Sequence, residues 1–262
     1  MKRSLLAAIA VLTTGSVVAG PIELDMSSWA TDGDGNWTYQ ETDNSWYQSI
    51  NGSATVLYDP NQSSINSAIS GTISVQTASD DDWIGFALGY QQGEVLQGAG
   101  TDYWLGDWKK ATQGDAPVGL GMYHVTEGSG SWTKTQTGSG FRQVATGNNL
   151  ANTGWESFTD YTFDILFDSN LIEVFINDTL EMSVTAEIAG VDRFKDGSFG
   201  FYNMSQSNVL YSGAYLSPVE DVVSEEGRGN LGGPVSVSEP ASMALLGFGF
   251  LGLFARRKKK KQ

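Results

Sequence analysis

The chain has no cysteine, a single histidine and, over most of its length, very little positive charge. Without cysteine there is no disulfide, no thiolate nucleophile and no cysteine metal site, so stability must come from burial, with a bound ion as the remaining source. With His124 as the sole histidine, a Ser-His-Asp triad has one possible member, and no nucleophile elbow accompanies it. His124 lies within an apolar run, where packing or a local hydrogen bond is the ordinary role. Eight of the 15 basic residues sit at the two ends, leaving residues 21–238 with seven basic and 29 acidic residues, a formal charge of −22. So acidic a body excludes nucleic acid as a partner, because that affinity depends on neutralising phosphates. Calcium and basic partners remain compatible with it.

The ends have a different composition. Lys2 and Arg3 precede an apolar run over residues 5–12 and the small-residue stretch Val17-Val18-Ala19. This is the order of a secretory signal peptide, predicted to span 1–19. A membrane span is disfavoured because Thr13 to Ser16 interrupt the run, which falls short of the roughly 20 apolar residues needed. At the other end Ser238-Glu239-Pro240 is followed by an apolar segment, 241–255, and then by Arg256, Arg257 and four lysines. Gly247, Gly249 and Gly252 weaken that segment as a helix, while the basic cluster suits retention on the cytoplasmic side.

This order of elements resembles the PEP-CTERM sorting tail of Gram-negative bacteria, with Ser238 where that motif usually has its first proline. The resemblance implies transient membrane insertion, anchoring at the inner membrane before processing by an exosortase-type enzyme, and delivery to the cell surface or extracellular matrix. An uncleaved anchor is the alternative. Residues 217–237 mix Glu220, Asp221, Glu225 and Glu226 with glycines and have almost nothing to bury, which predicts a flexible acidic spacer.

The middle of the chain, about 200 residues, is long enough for one domain with a sizeable core. Its glycines and tryptophans suit a β-protein with tight turns. β-rich runs separated by turn formers fall at 69–77, 83–90, 101–108, 118–125, 161–167, 171–176, 180–184, 198–204 and 209–216. The runs from 161 to 184 are joined by Asp168-Ser169-Asn170 and Asn177-Asp178, which predicts a meander. No stretch has convincing helical periodicity. Residues 126–153, rich in Gly, Ser and Thr, read as long loops with short strands. The expected class is all-β, a sandwich or jelly roll.

Three blocks carry a family resemblance: Thr77 to Gln91 with Tyr103 to Lys109, Gly154 to Tyr161, and Gly197 to Gln206. In order and spacing they are similar to the C-terminal, lectin-like domain of thrombospondins over roughly residues 35–216. The resemblance implies a concanavalin or L-type lectin-like jelly roll over 20–216 and calcium-dependent adhesion or matrix binding. The usual cysteines of that domain are absent here, as is the preceding array of calcium-binding repeats.

Asp80, Asp81 and Asp82 stand before a buried strand, and adjacent carboxylates repel unless a cation or donors compensate. Ca²⁺ takes about 6–8 oxygen ligands of this kind, so these three form the first predicted metal site; a solvated acidic turn is the alternative. Asp32, Asp34 and Asn36 occupy EF-hand-like positions, but Trp37 stands where glycine is required and Asp43 where glutamate is. They read as a polar entry turn or as a second calcium loop. Tyr103, Trp104 and Trp108 are candidates for a sugar-stacking platform, although large aromatics in β-proteins are commonly core. Alternation puts Trp104 and Trp108 on one face and Tyr103 on the other. No Glu-x-Asp-x-Glu run marks a glycosidase. The expected function is therefore non-enzymatic, calcium-dependent binding of exopolysaccharide or matrix. A secreted glycan hydrolase on the same fold, or a structural component of a biofilm matrix, are the alternatives.

Overall fold

Phe163, Ile165 and Phe167 are buried while their neighbours are not, and the same period of two recurs at Ile172, Val174 and Ile176 on the next strand. This is the pattern of strands with one face in a core. The computed structural model describes residues 21–96, 100–126 and 140–218. The predicted signal peptide, sorting tail and nearly all of the acidic spacer lie outside the described residues. Among the described residues no helix is long and apolar enough to cross a membrane.

The first half of the chain forms β1 (Ile22–Glu23), β2 (Ala30–Gly33), β3 (Trp37–Gln40), β4 (Ser45–Gln48), β5 (Thr55–Tyr58), β6 (Ser67–Val75), β7 (Trp83–Tyr90), β8 (Tyr103–Lys109) and β9 (Gly119–Val125). The second half adds β10 (Phe141–Thr146), β11 (Asp160–Phe167), β12 (Leu171–Ile176), β13 (Thr179–Thr185), the single helical turn α1 (Ala186–Ala189), β14 (Ser198–Met204) and β15 (Val209–Pro218). Every pairing is antiparallel. One sheet has eight strands in the order β13-β12-β11-β6-β15-β4-β3, with β1 also against β15; the other has seven, in the order β10-β9-β8-β7-β14-β5-β2. The chain is thus an all-β, two-sheet sandwich. The predicted meander is β11-β12-β13.

The main core lies between the sheets, where Phe86, Phe163, Phe199 and Phe201 pack against one another with centroids 5.2–5.9 Å apart. Gly106 on β8 makes room for this stack, since a Cβ there would lie 2.3 Å from the ring of Phe86. Gly106→Ala is expected to lose about 1–3 kcal/mol through overpacking, read from the midpoint of urea unfolding at unchanged slope. A second apolar cluster, including Tyr58, Trp83, Tyr103, Tyr123 and Met204, covers the other face of the seven-stranded sheet. Both faces of that sheet are therefore buried over much of their area, and the aromatic residues on its strands are structural.

Candidate metal site and its surroundings

The loop from Val75 to Trp83 leaves the eight-stranded sheet and enters the seven-stranded one, and it carries all three adjacent aspartates. Their carboxylate oxygens come within 4.8 Å of one another, the one such acidic group among the described residues. Asp80 adopts a left-handed backbone with φ of 77°, an uncommon state for a residue other than glycine. One of its oxygens accepts from the Asp81 amide at 3.1 Å and the other from the Asn51 side chain. Burial, together with the neighbouring Asp82 and Asp81 carboxylates, holds the Asp80 carboxyl above the ordinary range, against the opposing amide of Asp81.

Lys109, at the end of β8, is completely buried and aims its ammonium into this loop. It donates to Asp82 Oδ1 at 2.7 Å and to the Asp81 carbonyl at 3.0 Å, and it lies 3.4 Å from Asp81 Oδ1. Its remaining contacts are Gln113 Oε1 at 3.3 Å and the face of Trp83, 4.2 Å from the ring centroid. One lysine facing three carboxylates leaves an excess of two negative charges. The loop is held from behind as well. Gln206 Oε1 accepts from the Asp82 amide at 3.1 Å, and Trp155 Nε1 donates to the Asp82 carbonyl at 3.0 Å. Gln206 is anchored in turn through its carbonyl by Gln48, whose amide also reaches Asn203 at 2.8 Å.

The donor set is all oxygen, hard and net negative, so it fits a divalent cation such as Ca²⁺. Asp80 would supply carboxylate oxygens that also accept from the Asp81 amide and the Asn51 side chain, and Asp81 the oxygen that faces away from Lys109. Asp82 would contribute the oxygen that Lys109 leaves, with Lys109 limiting how much of the cluster a cation can take.

The other predicted residues are placed differently. Asp32 lies in β2 and its carboxylate accepts from Tyr90 OH at 2.9 Å and the Gly93 amide at 2.6 Å. Asp34 accepts from the Ser53 amide at 3.2 Å. Both act as hydrogen-bond acceptors that tie the entry turn to neighbouring loops, and among the described residues they are not gathered with a third acidic ligand. Tyr103, Trp104 and Trp108 are at most 4% exposed, which corrects the idea of an exposed stacking platform. The predicted alternation is seen: Trp104 and Trp108 enter the inter-sheet core and Tyr103 the outer cluster, yet both faces are covered. His124 has the local structural role expected of it, stacked on Trp104 at 4.2 Å with Nε2 2.7 Å from Asp102. Burial works against ionisation of Asp102, but Lys195 and His124 outweigh it and hold that carboxyl below the ordinary range. The sequence reading missed Lys109, Asn51 and Gln206 as partners of the aspartates; a charged residue closing a strand of buried aromatics was the available signal for Lys109.

Residues 32–217 match the model of the thrombospondin C-terminal region. The chain belongs to that family. Within it, thrombospondin-2 of Gallus gallus is 26% identical over 197 residues, covering 68% of this chain. Thrombospondin-2 of Bos taurus is 26% identical over 160 residues, covering 55% of this chain. The matched stretches span only 16% and 13% of those proteins. Among solved structures, a carbohydrate binding module, CBM66, of Bacillus subtilis aligns with a TM-score of 0.54 at 9% identity, over 74% of this chain and 97% of that one. A Bacillus subtilis protein with a galectin-like fold aligns with a TM-score of 0.54 at 11% identity, over 74% and 90%. These likenesses establish a lectin-like jelly-roll fold for this thrombospondin C-terminal domain. Residues 236–259 match the PEP-CTERM protein-sorting motif, which marks an exported protein processed at the membrane by an exosortase.

Proposed function

We propose that this thrombospondin C-terminal domain is a non-enzymatic adhesion module that binds exopolysaccharide or another matrix component at the cell surface, with calcium as a structural ion. The observation that carries the reading is the Asp80–Asp82 cluster, built into a loop between the sheets with more negative charge than Lys109 compensates. A cation binding there ties the two sheets at one end and stiffens the surface beside them. The jelly-roll fold, shared with a carbohydrate binding module, supports a glycan as ligand, and the sorting motif supports delivery of the domain to the cell exterior. A binding role without catalysis is supported by His124, which is committed to Asp102 and Trp104.

In affinity electrophoresis the full-length protein is expected to be retarded by polysaccharide in calcium and released by EDTA, with polymer length unchanged after prolonged incubation. Shortening of the polymer would replace this reading with a hydrolase, and saturable self-association without retention on any glycan would replace it with a structural matrix protein.

A further inference from the structure

Phe158 sits in a polar run, Glu156-Ser157-Phe158-Thr159-Asp160, where a lone ring is expected to turn inward for cover. It turns outward. Phe158 is 66% exposed, the most exposed aromatic among the described residues. Its backbone is left-handed, with φ of 60°, an outlier for so bulky a residue. Bonds on both sides hold it there. The Phe158 amide donates to the Val75 carbonyl at 2.8 Å, where the acidic loop begins, and the Glu156 amide donates to Tyr161 OH at 2.8 Å. Ser157 Oγ accepts from Lys110 Nζ at 2.9 Å, and that ammonium lies 4.9 Å from the ring centroid of Trp155, which is itself buried against the Asp82 carbonyl. A single exposed apolar side chain is ordinary on a protein surface. A ring held out on a strained backbone is different, because such strain persists only where the surroundings over-determine it, and it gathers at ligand sites.

We infer that Phe158 is the stacking platform of a glycan site beside the acidic loop, and that the site takes pyranosides whose hydroxyls are all equatorial, as in a β-linked glucan. The inference rests on the glycan-binding reading above and deepens it by naming the site and the sugar class. A pyranose with equatorial hydroxyls presents axial C–H bonds on both faces, so each face is apolar and slightly positive. That complements the negative face of an aromatic ring. An axial hydroxyl interrupts such a face, and a furanose ring does not offer it. The polar neighbours suit the edge of the same sugar: Glu156 and Asp160, both exposed, bring acceptors within two residues of the ring, and Ser157 and Thr159 bring hydroxyls that donate and accept. One ring is too little for a protein partner, since a phenylalanine buries at most about 250 Å² where a standard interface buries about 800 Å² on each side. The seat of the ring runs into the acidic loop through the Asp82 carbonyl and through the Lys110 amide, which donates to the Asp81 carbonyl at 3.2 Å. A cation ordering that loop would therefore steady the ring as well.

The test uses full-length protein in calcium against β-glucans (laminarin, hydroxyethylcellulose), mannan and levan by affinity electrophoresis. Retention by at least one β-glucan, and weaker retention by mannan and levan, is expected. Phe158→Gly should weaken that retention at least about tenfold while melting no lower than the parent, because glycine adopts the left-handed backbone without strain. Loss of binding is then separated from loss of the fold. Phe158→Trp should keep the binding and Phe158→Leu, apolar but not flat, should lose it. Retention of β-glucan that survives Phe158→Gly would overturn the site and leave the glycan reading standing. Binding kept by the leucine variant would overturn stacking as its basis, and equal retention by mannan or levan would overturn the sugar class. Retention of the parent by no polymer would remove the glycan reading and this site with it.

Discussion

Lys109→Met is expected to destabilise the domain by about 3–5 kcal/mol, because it strips the buried Asp82 carboxylate of its ammonium while leaving the apolar stem in place. The side chains of Lys109 and Asp82 are 1% and 5% exposed, so water cannot take over the lost contact. The effect is read from urea unfolding of the full chain at neutral pH in EDTA. Removing the charge on both sides, as Lys109→Met with Asp82→Asn, should restore part of the loss, since no uncompensated charge is then left buried. A single variant as stable as the parent would show that Lys109 does not hold the cluster together. A double variant as unstable as the single one would place its contribution in the bonds to the Asp81 carbonyl and Gln113.

Calcium is expected to raise the melting temperature by about 5–10 °C when present at a hundredfold excess over its dissociation constant. The size follows from about 2.7 kcal/mol of binding linkage and ~2–4 °C per kcal/mol for a domain of this length. Differential scanning calorimetry in calcium and in EDTA measures it. The two conditions should respond to pH in opposite directions. Because the folded-state Asp80 carboxyl sits above its unfolded value, the contribution of this group to the stability of the metal-free protein grows as pH falls through the folded value and is lost as pH rises again. In calcium the proton competes with the ion for the same oxygens, so the calcium-dependent increment shrinks over that interval. Asp80→Asn should remove most of the increment and flatten the pH response. Identical melting curves in calcium and EDTA would end the metal reading of this loop.

Strands with a clear period of two or an unbroken apolar run were legible: the predicted limits of 83–90, 171–176 and 198–204 are those of β7, β12 and β14. The strands of the first 48 residues, β1 to β4, were not. Ala30–Gly33, Trp37–Gln40 and Ser45–Gln48 are short and polar, and they become strands through partners far away in sequence, as when Gln48 pairs with Val209. No local pattern announces such a pairing. The acidic cluster was legible because its residues are consecutive. Its counter-charge was not, because burial of Lys109 follows from packing two hairpin strands, β7 and β8, that bring it to Asp82 across 27 positions. The aromatic platform failed for a related reason: alternation tells which residues share a face, and here Tyr103 on one face and Trp104 and Trp108 on the other are all covered.

The place of β15 in the eight-stranded sheet bears on how the domain resists force. The stretch leading to the sorting motif continues from a strand inserted between β6 and β4, with register partners running from Val209 against Val75 to Pro218 against Ser67. Tension drawn from that stretch enters the middle of a sheet, where it loads many backbone bonds in parallel instead of peeling an edge strand one bond at a time. Survival under load is set by the rate of unfolding. A module that grips polymer while its far end is held would thus be suited to shear, as a mechanical clamp.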